Sequence, residues 1–186
     1  RPYLCIDSWF IASSNWRRQN IRKGRWTHLY GAYDYVGTDI SGKILGILGF
    51  GRIGTAVAKR AKAFGMNIIY HNRHRLSKNT EKSLGVKYVT FDQLFKKSDI
   101  VSIHVPYTKE THELVNIKLF KKMKKTSFII NTARGKIIKE NDLIYALKKK
   151  IIAGAALDVF RTEPIGLNNP LTKMQNVVLA PHIGSS

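Results

Sequence analysis

The stretch of this sequence best suited to chemistry is a glycine-rich turn. Residues 49–54 read G-x-G-x-x-G and lie between an apolar run of strand length (43–48) and a segment with apolar residues at helical spacing (55–64). In such a setting the first glycine permits a tight turn, the second lets a pyrophosphate approach the backbone, and the third lets helix and strand pack closely. Glycine-rich turns also serve as plain connections, but this placement favours a dinucleotide site made by Gly49, Phe50, Gly51, Arg52, Ile53 and Gly54.

The residues after the second predicted strand (67–71) bear on the choice of dinucleotide. Asn72 stands where NAD-binding folds place an acidic residue against the adenosine ribose, and Arg73, His74 and Arg75 follow it. A neutral side chain does not repel a 2′-phosphate, and a guanidinium can bind that phosphate through two hydrogen bonds. The sequence therefore predicts NADP(H) as the preferred cofactor, with NAD(H) possible. The alternative is a pair of exposed arginines without a ligand.

Polar residues also follow several other predicted strands. In an open parallel sheet, ligands bind beyond the carboxyl ends of the strands. Any single residue there, His182 included, could be a loop residue without a role, but their recurrence at successive strand ends favours one shared site. The candidates are Pro106, Thr111, Thr132, Ala133, Arg134, Asp158, His182, Ile183 and Gly184.

Alternating strand and helix patterns predict the fold. The predicted strands are residues 43–48, 67–71, 85–89, 100–105, 127–131, 153–159 and 177–179, and the predicted helices are 55–64, 91–97, 116–123 and 140–149. This order predicts an α/β fold with a doubly wound, Rossmann-like parallel sheet. We assign residues 41–186 to a dinucleotide-binding domain and residues 1–40 to a helix and a loop that lead into it.

Composition narrows the classes of partner. The chain has 186 residues and a net charge of +20, but its basic residues are spread out, and the densest runs (121–125 and 148–150) fall near predicted helix ends, where they suit the helix dipole and stay solvated. No zinc spacing or aromatic-interleaved basic motif is present, so we expect neither a metal nor a nucleic-acid partner. The lone Cys5 fits a reducing cytoplasm, and no apolar run is long enough to span a membrane. The start at Arg1 suggests a fragment or a processed chain.

Four motifs in order make the sequence resemble the D-isomer-specific 2-hydroxyacid dehydrogenases, and most closely their glyoxylate/hydroxypyruvate reductase branch. The motifs are residues 49–54, 131–135 (NTARG), 157–164 (LDVFRTEP) and 181–184 (PHIG). The resemblance implies a catalytic triad of Arg134, Glu163 and His182, and a dimer formed through the cofactor domain. It also implies which groups meet the cofactor: Phe50 to Ile53 the pyrophosphate, Asn72 to His74 the adenosine ribose or its phosphate, and Thr132, Ala133, Asp158 and His182 to Gly184 the nicotinamide.

The chemistry that the resemblance implies matches these side chains. Reduction of a 2-oxo acid needs a hydride donor, a proton donor for the carbonyl oxygen and a cation for the carboxylate. The cofactor would supply the hydride, His182 the proton and Arg134 the cation. The negative charge of Glu163 beside His182 would favour the protonated imidazole and fix its tautomer. The alternative is that Glu163 and Arg134 belong to an ordinary turn and a surface loop.

The sequence also departs from the family. The family has a second, substrate-binding domain, and this chain contains almost none of it; residues 1–40 resemble only the crossover helix and loop. We therefore expect the chain alone to bind cofactor and to turn over 2-oxo acids poorly or not at all. A rival hypothesis is a non-catalytic, cofactor-sensing protein, since transcriptional corepressors resemble this family and the +20 charge suits such association. The basic stretch after the second strand favours the enzyme, because NADPH drives reduction.

Overall fold

A parallel seven-stranded sheet, in the order β3-β2-β1-β4-β5-β6-β7, organises the computed structural model, which describes residues 22–24 and 39–184. The strands are β1 (Ile44–Leu48), β2 (Asn67–His71), β3 (Lys87–Tyr88), β4 (Ile100–Ile103), β5 (Phe128–Asn131), β6 (Gly154–Leu157) and β7 (Val177–Leu179). The helices are α1 (Arg52–Ala63), α2 (Lys78–Leu84), α3 (Phe91–Lys97), α4 (Ile117–Phe120) and α5 (Glu140–Lys148), with 3₁₀ turns at Gly135–Ile137 and Pro170–Lys173. The predicted helix and loop of residues 1–40 lie almost wholly outside the described residues.

The sheet reverses its direction of growth at β1. The chain proceeds from β1 to β2 and β3 on one side, then returns to place β4 on the other side of β1 and continues to β7. This is the doubly wound, Rossmann-like order, and the predicted fold class is confirmed. The switch point between β1 and β4 is where such a sheet opens a crevice for a ligand.

Side-chain alternation along the central strands builds a core on each face of the sheet. On one face, Leu45 and Ile47 of β1 pack with Val57 and Ala61 of α1. On the other face lie buried residues of α3, α4 and α5 with the intervening strand residues: Leu48, Val101, Ile103, Ile129, Leu94, Phe95, Leu119, Phe120, Leu143 and Leu147. Strands covered on both sides read as continuous apolar runs, which is why they could be found in the sequence.

The first helix begins inside the glycine motif rather than after it, so the predicted start at residue 55 is wrong. Gly51 is the N-cap, and Arg52 to Gly54 form the first helical turn. A β-carbon on Gly54 would lie 2.5 Å from the Gly49 carbonyl oxygen and 3.1 Å from Ile47 Cγ2. Gly54 is therefore required for the close approach of α1 to β1.

Several strands and one helix are shorter in the structure than the sequence predicted. The strand predicted at 100–105 ends at Ile103, because Ile103 pairs with Leu48, the last residue of β1, and no strand residue lies beyond it. The strand predicted at 153–159 reduces to β6 for the same reason, since β6 pairs with the whole of β5 and ends with it. The strand predicted at 85–89 reduces to the two residues of β3 that pair with Ile69 and Tyr70. The helix predicted at 116–123 is the short α4, although its predicted N-cap is confirmed, since Asn116 accepts a hydrogen bond from the Lys118 N–H.

One helix was missed. The sequence of α2, KNTEKSL, has a single apolar residue and so shows no apolar period. Its caps were the readable signal: Ser77 accepts from the Thr80 N–H at the start, and Gly85 adopts φ +61° at the end. Within the described residues, no helix combines the length and apolar character needed to cross a bilayer.

The second and third glycines of the motif, Gly51 and Gly54, should respond differently to substitution. Gly54→Ala should lower the free energy of unfolding by roughly 1–3 kcal/mol, because its β-carbon meets backbone. Gly51→Ala is the matched control; nothing lies within 4 Å of its β-carbon, so only the poorer N-cap, under about 1 kcal/mol, should register. Urea unfolding of both variants measures the difference, and equal losses would contradict this account of the packing.

Candidate active site

The carboxyl ends of the strands are aligned across the sheet. Leu48 pairs with His71 on one side and with Ile103 on the other. Ile103 pairs with Asn131, and Leu157 then pairs with both Asn131 and Leu179. Six strands thus end in one row, and the loops that carry the sequence-predicted residues all leave from it. The expectation that these loops share one edge is met.

The glycine-rich loop presents backbone at this edge. Gly49 has φ +95°, and a β-carbon there would lie 2.7 Å from the His104 carbonyl carbon and the Val105 nitrogen of the neighbouring loop. Gly51 is exposed, with no atom where a β-carbon would be, and no side chain caps α1. The helix N-terminus therefore opens onto free space, as a pyrophosphate group requires.

Phe50 and Ile53, both predicted to touch the pyrophosphate, have opposite environments. Phe50 is 3% exposed and its ring centroid lies 4.7 Å from that of Tyr70, so only its backbone can meet a ligand. The Phe50 N–H is already used, since it donates to Asn72 Oδ1 at 2.6 Å. Ile53 is 57% exposed and Arg52 is exposed beside it. The pyrophosphate role remains a prediction for both.

The predicted ligand residues of the loop after β2 are of two kinds: two make side-chain hydrogen bonds among the described residues, and two do not. Asn72 binds the glycine-rich loop through Phe50, and Arg75 forms two hydrogen bonds with Glu81, from Nε at 2.8 Å and Nη2 at 2.7 Å. Arg73 and His74 are exposed, and within the described residues their side chains make no hydrogen bond. The two arginines that the sequence treats as equivalent are therefore not equivalent.

The loop after β4 is held by one of its predicted site residues. The Thr111 hydroxyl donates to the Pro106 carbonyl at 2.7 Å and accepts from the Thr108 N–H at 2.7 Å. These bonds give Thr111 a part in shaping the loop in addition to the cofactor contact predicted for it. Pro106 is exposed at the start of the same loop.

The loop after β5 is shaped by a residue that the sequence analysis quoted in a motif but did not assign. Asn131, 1% exposed, donates from Nδ2 to the Arg134 carbonyl at 3.0 Å and accepts at Oδ1 from the Ala133 N–H at 3.0 Å. These two bonds fix the turn through Thr132 and leave the Arg134 side chain exposed. An amide at the end of a buried strand was the available signal, because a buried polar group needs partners of its own.

Asp158 joins the loop after β6 to the loop after β7. The carboxylate is 5% exposed and accepts from the Ile183 N–H at 2.9 Å and the Gly184 N–H at 2.7 Å. A β-carbon on Gly184 would lie 2.7 Å from Asp158 Oδ2. Three residues predicted to surround the nicotinamide are thus in direct contact, with the buried carboxylate holding the loop next to His182.

Glu163 and His182 form a hydrogen-bonded pair. Glu163 Oε2 lies 2.7 Å from His182 Nδ1, and Glu163 Oε1 accepts from the Phe160 N–H at 2.9 Å. Both side chains are well over a third exposed. Because a carboxylate can only accept, Nδ1 carries the proton, and Nε2 makes no hydrogen bond within the described part of the chain. The pair can therefore present Nε2 to a ligand.

The charge of Arg134 acts on the Glu163–His182 pair. Burial raises the pKa of the Glu163 carboxyl, but the Phe160 N–H, His182 and the charge of Arg134 together hold it below its usual value. Glu163 is thus a carboxylate between two basic side chains. The three residues of the predicted triad are close in space, although their catalytic roles remain predictions.

His104 is a further ionisable residue at this edge, missed because the sequence placed it inside a strand. Its Nε2 lies 2.8 Å from Ser102 Oγ, and its backbone is the group that Gly49 approaches. Burial lowers the pKa of His104 to about 4, so the imidazole is neutral at physiological pH. Ser102 and His104 alternate within the otherwise apolar run IVSIHV, and that alternation was the signal.

A doubly wound sheet with a glycine-rich turn at its switch point is typical of the class of dinucleotide-binding domains. The chain belongs to the D-isomer specific 2-hydroxyacid dehydrogenase family, because the model of that family's NAD binding domain matches residues 11–184. The family resemblance of the motifs is confirmed.

Individual relatives support the same assignment. The chain is 49% identical over 177 residues to the glyoxylate reductase of Thermococcus litoralis, covering 95% of this chain and 51% of that protein. Among solved structures, a glyoxylate reductase from Paecilomyes thermophila matches with a TM-score of 0.87 at 39% identity, covering 99% of this chain and 55% of that one. The chain spans about half the length of the curated relatives it matches.

A third comparison concerns a structure with a bound cofactor. The NAD complexed form of a D-isomer specific 2-hydroxyacid dehydrogenase from Lactobacillus delbrueckii ssp. bulgaricus matches with a TM-score of 0.82 at 27% identity. The match covers 98% of this chain and 58% of that one.

The buried imidazole should make stability depend on pH. The pKa of His104 lies at about 4 in the folded chain against an ordinary 6.5, so the unfolded chain takes up a proton first as pH falls. The stability that this group contributes is present above about pH 6.5 and is lost on the way down to about pH 4. His104→Gln, which can still bond Ser102 but does not titrate, should reduce the stability loss between pH 7 and pH 4.5 in urea unfolding.

His74→Gln is the control for this experiment, because His74 is exposed and makes no hydrogen bond within the described residues. It should keep the pH dependence of the unsubstituted chain. If His104→Gln also kept that dependence in full, the neutral buried imidazole would be disproved.

Proposed function

We propose that the chain forms the cofactor-binding and proton-donating half of an NAD(P)H-dependent reductase. The reaction is the conversion of a small 2-oxo acid, of the glyoxylate or hydroxypyruvate type, into the D-2-hydroxy acid. The observation that carries this proposal is the 2.7 Å contact between Glu163 and His182 at the carboxyl edge of the sheet. Membership of the family and the similarity to proteins named glyoxylate reductase support it.

In this proposal the glycine-rich loop binds the cofactor. The open N-terminus of α1 at Gly51 to Ile53 would hold the pyrophosphate, and Asn72 to His74 would meet the adenosine ribose. The loops tied together by Asp158 and Asn131 would surround the nicotinamide, and the bound cofactor would supply the hydride. The chain's own contribution is to keep these loops in place, since each is fixed by a buried side chain.

The proposed roles of the triad follow from its geometry. His182 would donate a proton from Nε2 to the carbonyl oxygen, because Nδ1 is held by Glu163. Glu163 would keep the ring oriented by accepting the hydrogen bond from Nδ1. Arg134, whose guanidinium is exposed, would bind the substrate carboxylate. Closure of a substrate-binding half over this edge would exclude water and orient the substrate.

The cellular setting is inferred from the same chemistry. We expect a cytoplasmic homodimer that acts on small 2-oxo and 2-hydroxy acids, without nucleic-acid or membrane partners. NADPH is the expected reductant, because Asn72 is neutral and Arg73 is an exposed cation beside it. NADH would bind the same site without the contact to a 2′-phosphate.

Removal of the Arg73 guanidinium should reduce the preference for NADPH. Arg73→Ala should weaken NADPH binding about tenfold, because it removes a charge-assisted hydrogen bond to the 2′-phosphate. NADH binding should change little. Fluorescence titration of the chain with each cofactor measures the ratio. Lys148→Ala, which removes the same charge from the end of α5, controls for a general change in field. Equal affinities for the two cofactors in the unsubstituted chain would refute the preference.

The proton donor is tested where the substrate-binding half is present. We suggest a chimera in which this chain replaces the matching half of the Thermococcus litoralis relative, to which it is 49% identical. His182→Ala should lower the rate of glyoxylate reduction by about 10²–10⁴-fold, the usual contribution of a positioned general acid, with cofactor affinity nearly unchanged. A chimera that binds NADPH but does not reduce 2-oxo acids would instead favour the cofactor-sensing hypothesis.

Glu163→Gln in the same chimera tests the pairing of Glu163 with His182, separately from the question whether His182 is essential. Because the amide carries no charge, it holds the Nδ1–H of His182 less firmly than the carboxylate does, and the pH profile of the reduction rate should change. The rate at neutral pH should fall with it. A pH profile that stays in place would exclude the proposed pairing even if His182 proved essential.

A further inference from the structure

Tyr70 on β2 is a buried residue with two polar contacts that the proposed reaction does not use. Its side chain is fully buried, and its hydroxyl donates to Glu81 Oε1 at 2.7 Å and accepts from the Leu76 N–H at 3.0 Å. Burial, together with the carboxylate of Glu81, raises the pKa of Tyr70 to about 12. The hydroxyl is therefore always protonated under physiological conditions and always available as a donor.

Glu81 connects this hydroxyl to Arg75. The Glu81 carboxylate, on α2, accepts from Arg75 Nε at 2.8 Å and Nη2 at 2.7 Å, and its side chain is 11% exposed. The bond to Arg75, helped by that to Tyr70, lowers the pKa of Glu81 to about 2. The Arg75 guanidinium also lies over the Tyr88 ring, 5.2 Å from its centroid. Its charge is thus matched inside the protein, and one of its two hydrogen-bonding edges is occupied.

The other end of the same loop is fixed through the ring of Tyr70. Phe50 packs on Tyr70 with ring centroids 4.7 Å apart, and the Phe50 N–H donates to Asn72 Oδ1 at 2.6 Å. One side chain therefore supports the loop of residues 72–76 at both ends. Arg73 and His74 lie between the two supports, exposed, and make no side-chain hydrogen bond within the described residues.

We propose that Tyr70 is a positioning residue for cofactor choice, which holds the loop of residues 72–76 so that Arg73 is presented to the 2′-phosphate while Arg75 serves as a structural cation. The proposal rests on the NADPH preference proposed above. An arginine on a loop that is already ordered loses less conformational freedom on binding, so more of its interaction with the phosphate appears as affinity. NADH, which lacks that phosphate, gains nothing from this ordering.

The test compares two substitutions that each remove one hydroxyl. Tyr70→Phe keeps the ring against Phe50 but releases Leu76 and Glu81, and should weaken NADPH binding by about fivefold, with NADH binding changed less than about twofold. Tyr88→Phe is the matched control, because its ring lies 5.5 Å from that of Tyr70 and its hydroxyl makes no hydrogen bond within the described residues. Both cofactors are titrated against both variants, and thermal unfolding records the loss of stability separately.

A double-mutant cycle shows whether Tyr70 acts through Arg73. In the Arg73→Ala background, Tyr70→Phe should cause no further loss specific to NADPH, because the group that it positions is gone. Independent effects that multiply in the double variant would overturn the proposal, as would a Tyr70→Phe variant that weakens both cofactors equally. Such an equal loss is what a merely structural role predicts.

The outcome for the unsubstituted chain separates this inference from the proposed function. If that chain prefers NADPH and Tyr70→Phe keeps the full preference, only the positioning role is wrong. If the unsubstituted chain binds both cofactors equally, the cofactor preference is wrong and the positioning role is refuted with it.

Discussion

The close approach of the β1–α1 turn to its neighbours is the constraint on which the site depends. Gly49 lies against the backbone at His104 and Val105, and Gly54 lies over the Gly49 carbonyl, at distances that no β-carbon could occupy. These two contacts bring the N-terminus of α1 to the switch point of the sheet, where no side chain of the described residues caps the helix. Beside this turn the half-buried imidazole of His104 is neutral, because burial lowers its pKa to about 4.

The loops around that opening are held by hydrogen bonds to polar side chains, two of them buried and one half-buried. Asn72, Asn131 and Asp158 each follow or end a strand, and each accepts hydrogen bonds from the backbone of an adjacent loop or turn. A side chain anchored at a strand end moves little, so the loop that it holds is ordered before any ligand arrives. The residues proposed to meet cofactor and substrate are therefore oriented by the rigid sheet through one intervening contact.

The few acidic residues of this chain stabilise the fold as well as the site. In a chain with a net charge of +20, Asp99 accepts from the Ile44 N–H at the start of β1 and pairs with Lys124, while Asp142 accepts from the Ile117 N–H at the start of α4. Glu81 and Glu163 follow the same pattern beside Arg75 and His182. Most basic residues in the described part of the chain are exposed, where their charge would favour the approach of anionic ligands.

Local pattern and tertiary structure contributed different parts of this picture. The strands and the glycine motif could be read from the sequence, because apolar runs and glycines report backbone requirements that act within a few residues. Strand ends and the start of α1 could not, since they depend on partner strands and on packing against them, and α2 has only its caps, Ser77 and Gly85, as a sequence signal. The different roles of Arg73 and Arg75 could not be read from the sequence either. Only the folded chain places Glu81, held by Tyr70, against the Arg75 guanidinium, while Arg73 makes no side-chain hydrogen bond among the described residues.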